Sequence, residues 1–431
     1  MHSSIEYLAF IFILNSMKIK GFGPNETNKF CRHAIRLFLL QICFLSIKGY
    51  CQSSEITVNA LAKMGFENVS WHEDDKERIF VVENSAYRLN GIGIAKAIDQ
   101  IQQTGLSKDK NCRLIVLDNN IPQISLYYHS FNDSIPVSDR ENWSISYELG
   151  DGWAQVKNNK KQNSSLYKID VVLYPEFSFQ NYKLSRVYDI LLNLSPAIEV
   201  SLWKGMKLTG QIIIPIVNDY GMLYEQVRPG FLTLSQSIRL PKQTFVTTSI
   251  GFFNNFRWGI DARAKHFLAD ERFSLEGRVG YTGRGYFENW AYHHGVKWLI
   301  TGGLGGNFYW PKYNTQFSLK AERYLEGEYG MRFDMIRHFR YASIGFYAMK
   351  VEHAGNNGLN GGFRFQIALP PYKYRRKGYV PRIITSNNFG ISYNAGNERT
   401  YGKSYKSQAS DNMMQDNSFN PYFIKSELLN Y

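Results

Sequence analysis

Cysteine is nearly absent from most of this chain. Of 431 residues only four are cysteines, at positions 31, 43, 51 and 112. Three lie in or beside the N-terminal segment, so beyond it Cys112 stands alone. That excludes an intramolecular disulfide and a multi-thiolate metal site there, and it suits an oxidising compartment. Long apolar runs are missing as well. After residue 51 no stretch reaches the ~18 apolar residues that mark a membrane-spanning helix, so any entry into a bilayer is by strands. Metal-ligand spacing is missing too. His72, His129, His266, His338 and His353 have no partner four residues on and no HExxH pattern. His293 and His294 are adjacent and would point to opposite faces of a strand. No metal and no cofactor is expected. Gly91-x-Gly93 is followed by no other part of a phosphate-loop fingerprint and reads as a helix-start turn. The net charge is +13, but it is spread along the chain rather than gathered in one stripe, which argues against a nucleic-acid partner.

What is abundant is glycine and aromatic residues, 35 Gly against 13 Pro with 15% aromatics, a balance that leans toward strands and turns. The first 51 residues carry +4 of the charge. Lys29, Arg32 and Arg36 lead into the apolar run "AIRLFLLQICFLSI" (34–47), followed by "KGYCQSSE". Basic start, short apolar middle and a cut before Gln52 describe a secretory signal over 1–51. Two details stay open: Met17 as a later start, and a lipid on Cys51, which the bulky Tyr50 before it disfavours.

Residues 52–130 read as a small periplasmic α+β domain. "TVNALAKMG" has helical spacing and stops at Gly65. "RIFVVEN" reads as a strand, and Ile94, Ala97, Ile98 and Ile101 form one helix face. "CRLIVLDNNIPQISLYY" gives two strands about an Asp-Asn-Asn turn. Residues 131–166, with "KNNKKQNSS", read as a linker or loop, and 396–431 as a polar C-terminal tail.

Between them, over 167–395, alternation takes over. Phe273, Leu275, Gly277, Val279 and Tyr281 share one face, and Glu276 and Arg278 the other. The same two-residue rhythm runs through Arg257–Lys265, Gln316–Glu322, Met331–Met335 and Phe363–Leu369. A soluble sandwich also alternates. Here the pattern continues for over 200 residues, and Trp203, Trp258, Trp298, Trp310, Tyr324 and Tyr341 crowd the strand ends like interfacial girdles. The fold expected is mainly β: an antiparallel transmembrane β-barrel of about 12 strands, with a thirteenth at 383–394, behind the small α+β domain. Gly277–Trp298 reads as a strand end, a tight Gly-Arg-Gly-Tyr passage, a loop and the start of the next strand.

In such a barrel Asp261, Arg263, Lys265, Glu276, Arg278, Lys320, Glu322, Arg332, Asp334 and Arg364 share the interior register. They form either a polar track for a glycan's acidic groups, with Arg forks matching carboxylates, or a self-paired network filling a narrow lumen. A second candidate is the basic aromatic loop Tyr372, Lys373, Tyr374, Arg375, Arg376 and Lys377, suited to an acidic glycan, to lipopolysaccharide or to anionic headgroups. A catalytic group of His266, Asp270 and Ser274 is disfavoured because His266 sits on the apolar register, so no catalytic residue is assigned.

Three stretches carry a resemblance. "GRVGYTGRGYFENWAYHHGVKW" (277–298), "EYGMRFDMIRHFRYASIGFYAM" (328–349) and "GGFRFQIALP" (361–370) resemble the YjbH-like outer-membrane proteins of exopolysaccharide and capsule biosynthesis. The resemblance implies a non-enzymatic accessory role in polysaccharide assembly or export at the bacterial outer membrane. It implies outer-membrane lipid, polysaccharide and other export or assembly proteins as partners. It brings no catalytic residues. A barrel enzyme acting on lipid or glycan and a porin-like channel are the alternatives.

Overall fold

The computed structural model describes residues 54–107, 109–128, 140–180, 188–352, 358–394 and 402–430. The expected signal segment, with its readings at Met17 and Cys51, lies outside them. Residues 54–64 form helix α1, which ends before Gly65 at a φ of +105°, a conformation that glycine adopts without strain.

The α+β domain is a five-stranded sheet in the order β1-β2-β3-β4-β5. Its strands are β1 (Glu67–Glu73), β2 (Glu77–Glu83), β3 (Asn111–Asp118), β4 (Ile121–Tyr128) and β5 (Trp143–Ser146). Helix α2 (Asn90–Thr104) is the crossover between the parallel pair β2 and β3. Its Ile94, Ala97, Ile98 and Ile101 are fully buried, as their spacing predicts. Strand β1 was not anticipated. It buries both of its faces, including Glu67, so it lacks alternation.

The expected linker is also part of the domain. Within 140–166 lie β5, with Trp143 fully buried, and the short helix α3 (Gly152–Val156). Gln162 and Val69 exchange backbone hydrogen bonds of 2.7 and 3.0 Å, and Asn163 Nδ2 donates to the Phe66 carbonyl at 2.7 Å. These bonds hold a polar stretch that composition alone assigns to solvent.

The second sheet is a nearly closed, barrel-shaped sheet of 14 strands. Its first twelve are β6 (Ile169–Gln180), β7 (Asp189–Trp203), β8 (Met206–Asn218), β9 (Arg228–Leu240), β10 (Thr244–Phe253), β11 (Arg257–Phe267), β12 (Phe273–Glu288), β13 (Ala291–Trp310), β14 (Thr315–Arg323), β15 (Tyr329–His338), β16 (Ala342–Val351) and β17 (Leu359–Ala368). Each pairs antiparallel with the next, and the short helix α4 (Met222–Glu225) lies between β8 and β9. The thirteenth run of chain is split into β18 (Arg382–Thr385) and β19 (Asn388–Asn394). Strand β18 pairs with β6 and β19 with β17, so one run holds both edges of the sheet. The β18–β6 pairing is parallel, which corrects the all-antiparallel expectation. A meander with an odd number of passes brings its first and last passes side by side in the same direction. Above the split, the Phe179 and Tyr393 rings approach to 6.1 Å across the seam.

Gly277–Trp298 contains no loop. Strands β12 and β13 pair as far as Glu288↔Ala291 and turn at Asn289–Trp290, both at positive φ (47° and 66°). The hairpin therefore rises past its neighbours, since β11 and β14 pair with it only as far as Arg284 and Gly302. His293 stacks on Tyr286 and His294 lies beside Tyr292.

The domain sits at the end of the barrel that carries the short turns 204–205, 241–243, 268–272, 311–314 and 339–341. Arg239 donates to the carbonyls of Pro122 (3.0 Å), Gln123 (2.7 Å) and Tyr147. Glu271 accepts from Ser146 Oγ (2.6 Å) and Tyr147 N (2.8 Å), and the Tyr147 and Phe267 rings stack at 3.8 Å.

The C-terminal segment is not a solvated tail. From residue 402 it descends inside the barrel from the far end to the domain end. There helix α5 (Pro421–Leu429) buries Ile424 and Leu428 in the domain core. Asn420 caps this helix by accepting from Tyr422 N (3.0 Å) and Phe423 N (3.1 Å).

Candidate functional site

Two-residue periodicity places alternate side chains of β6–β19 inside and outside the barrel. All ten predicted track residues lie inside. The register explains how they meet. Lys265, Glu276, Gly305, Lys320 and Arg332 form one row across five strands, and Arg263, Arg278, Gly303 and Glu322 form the next. Lys320 and Glu276 form an ion pair that bridges β13. It can do so because Gly305 lies between them. A Cβ there would approach Lys320 Cγ to 2.9 Å, and one at Gly303 would approach Glu322 Cγ to the same distance.

Much of the track is paired internally. Arg332 grips Asp334 with two bonds of 2.7 Å, a bidentate fork. Asp261, 1% exposed, receives Arg278 Nε at 2.7 Å and Arg263 Nε at 3.1 Å. A buried carboxylate needs such compensation, because its desolvation otherwise exceeds the Coulombic gain.

The remaining partners come from the C-terminal segment, which sequence reasoning left in solvent. The Tyr405 hydroxyl donates to Asp261 Oδ2 at 2.9 Å, and Ser407 Oγ donates to Oδ1 at 2.8 Å. Asp411 takes Arg263 in a second fork, at 2.9 Å (Nη1–Oδ1) and 2.5 Å (Nη2–Oδ2). Arg278 caps the Tyr405 ring at 4.4 Å and donates to its carbonyl at 3.0 Å, while Phe253 stacks on the ring at 5.4 Å. Gly280 leaves room for this ring; a Cβ would run into its hydroxyl. Lower down, Arg340 pairs with Glu427 of α5 at 2.9 Å. Burial pushes the Glu427 carboxyl above its usual range, against the pull of Arg340.

Asn420-Pro421 before Phe423, Ile424 and Leu428 was a legible helix start. Nothing in "SYKSQASDN" (404–412) distinguishes a segment that satisfies a lumen from one that satisfies water.

A cavity of about 1240 Å³ remains between the segment and the wall. Nine of the ten track residues line it, and Asp261 lies behind Tyr405. Arg364, like Lys265, is not among the paired residues. Among the described residues its guanidinium has no hydrogen-bond or ion-pair partner and rests 5.3 Å from the Tyr347 ring.

The basic aromatic loop is largely a clasp. Tyr374 N donates to the Ala86 carbonyl (2.7 Å) and Arg88 N to that of Tyr372 (2.9 Å), while Lys373 lies over the Tyr87 ring. Arg376 reaches Asp170 at 2.5 Å and Glu67 at 3.3 Å, joining barrel and domain. Arg375 and Lys377 remain exposed.

His266, Asp270 and Ser274 do not converge. His266 lies on the outward register beside Leu275 and bonds Thr244 at 2.8 Å. Asp270 is held by Arg272, and Ser274 is buried inside beside Asn307. Among the aromatics expected to form girdles, Trp203, Trp310 and Tyr341 are exposed at the domain end, and Trp258 and Trp298 meet at 4.6 Å toward the other end. Tyr324 instead is buried with Tyr347, Met349 and Val351.

No family model, curated protein or solved structure matches this chain.

Proposed function

We propose that this barrel spans a bacterial outer membrane, with the α+β domain on the periplasmic side, and serves surface polysaccharide assembly or export as a non-enzymatic accessory protein. The observation that carries the membrane reading is the outer face. Val279, Ile300, Leu304, Leu319, Met331 and Phe346 are all exposed there, Leu304 at 75%, while the charged track residues turn inward. A water-soluble barrel reverses this order. Strands β10, β11 and β14–β17 run 9 to 11 residues, and a tilted strand crosses the hydrocarbon layer in about 9–11. Aromatic rings near both ends suit the headgroup layers, and short turns on the domain side suit the periplasm.

The polysaccharide role rests on the resemblance of 277–298, 328–349 and 361–370 to the YjbH-like proteins, together with a lumen rich in Arg and in polar groups. The C-terminal segment lying in that lumen favours a regulated or binding role over passive conduction.

Two measurements test this. Outer-membrane fractionation with heat-modifiable gel migration should show a folded barrel; recovery as a soluble periplasmic protein ends the membrane reading. Deleting the gene should lower the amount or change the length of surface glycan; unchanged glycan ends the polysaccharide reading.

A further inference from the structure

Within a barrel that handles polysaccharide, we propose that the lumen recognises an anionic glycan and that Asp411 is a built-in competitor for its cationic track. Positive charge is left over in the lumen after pairing. Arg364, Lys265 and Lys406 all line the cavity, and among the described residues none has an ion-pair partner. Arg332 and Arg364 both lie against Tyr347, at 4.1 and 5.3 Å, so two guanidiniums are presented on one wall.

The second observation is what the C-terminal segment does there. Asp411 meets Arg263 fork to fork, the geometry by which a guanidinium recognises a free carboxylate. Asp416, further along, lines the same cavity as Lys265 and Lys320. The segment thus lays two carboxylates along a cationic wall, much as the acidic groups of a polymer would lie. Ligand pockets commonly run to about 300–1,000 Å³, so a cavity of about 1240 Å³ takes a short run of sugar rings. Carboxylate and phosphate groups share the required chemistry.

The test uses the full chain folded in detergent micelles, at low salt. Binding is measured for an oligogalacturonate, a phosphorylated mannooligosaccharide and a neutral maltooligosaccharide of equal length. The expected result is preference for an anionic oligomer over the neutral one, weakened several-fold at 0.5 M salt. Which anionic oligomer binds more tightly identifies the source of the negative charge. Asp411→Asn should tighten anion binding about tenfold by releasing the Arg263 fork. Arg364→Gln should weaken it by a similar factor. Each variant is checked for heat-modifiable migration, so that loss of binding is not loss of folding. Equal binding of neutral and anionic oligomers overturns the proposal, and so does an Asp411→Asn protein that binds no more tightly. Because folding is scored separately, a folded barrel without anion preference refutes this inference and leaves the membrane reading standing.

Discussion

The substitution Gly280→Val drives a branched side chain into the space held by the Tyr405 hydroxyl. The ring cannot slide sideways, because Phe253 stacks on it and Arg278 covers it. It must therefore lift, and two interactions go with it. One is the 2.9 Å hydrogen bond to Asp261, of the charged kind that contributes about 1.5–3 kcal/mol. The other is the cation–π contact with Arg278, about 0.5–2 kcal/mol. Together they come to about 3 kcal/mol, which raises the open population of this part of the segment roughly hundredfold. Ser407, fully buried two residues on, reports the opening. With Ser407→Cys in both backgrounds, labelling by a membrane-impermeant maleimide should be slow with Gly280 and about a hundredfold faster with Gly280→Val. Helix α5 should stay docked, since its anchors lie at the other end. Equal labelling rates in two proteins that both migrate as folded barrels would refute the claim that Tyr405 pins the segment.

Two further outcomes follow from the domain. Leu428→Ala removes a fully buried side chain of α5 from the domain core and should cost about 2–5 kcal/mol, read from urea unfolding by Trp143 fluorescence with barrel migration unchanged. Glu83 is held at a pKa of about 7, chiefly by burial and then by repulsion from Asp118, against an ordinary value of 4.5. Its folded-state pKa is raised, so the stability it contributes is full below about pH 4.5 and lost as pH rises through 7. The domain should weaken by about 3 kcal/mol over that window, and Glu83→Gln should flatten the slope.

The strands were legible because one physical requirement acts on every residue of them: alternate side chains meet different surroundings. Strand limits such as 206–217 and 315–325 lie within two residues of those found. The ten track residues face inward for the same reason. What eluded the sequence lacks a period. Strand β1 buries both faces, and β5 has four residues. The Gly-Arg-Gly-Tyr passage looked like a turn because glycine favours turns, yet those glycines face crowded ring surfaces of Trp258, Trp298 and Tyr292 within a strand. The C-terminal segment was the largest miss. Its serines, aspartates and tyrosines satisfy partners that are themselves polar, so its composition is that of a solvated chain.

One consequence of α5 concerns the order of synthesis. Residues 419–428, which close the core over Ile94, Ile98 and Trp143, come after every barrel strand in the chain. A molecule halted partway through the barrel carries a domain whose apolar face is still bare. Chaperones and proteases recognise apolar surface exposed in this way. The core of the N-terminal domain therefore cannot close until the last barrel strand and the segment behind it have been made.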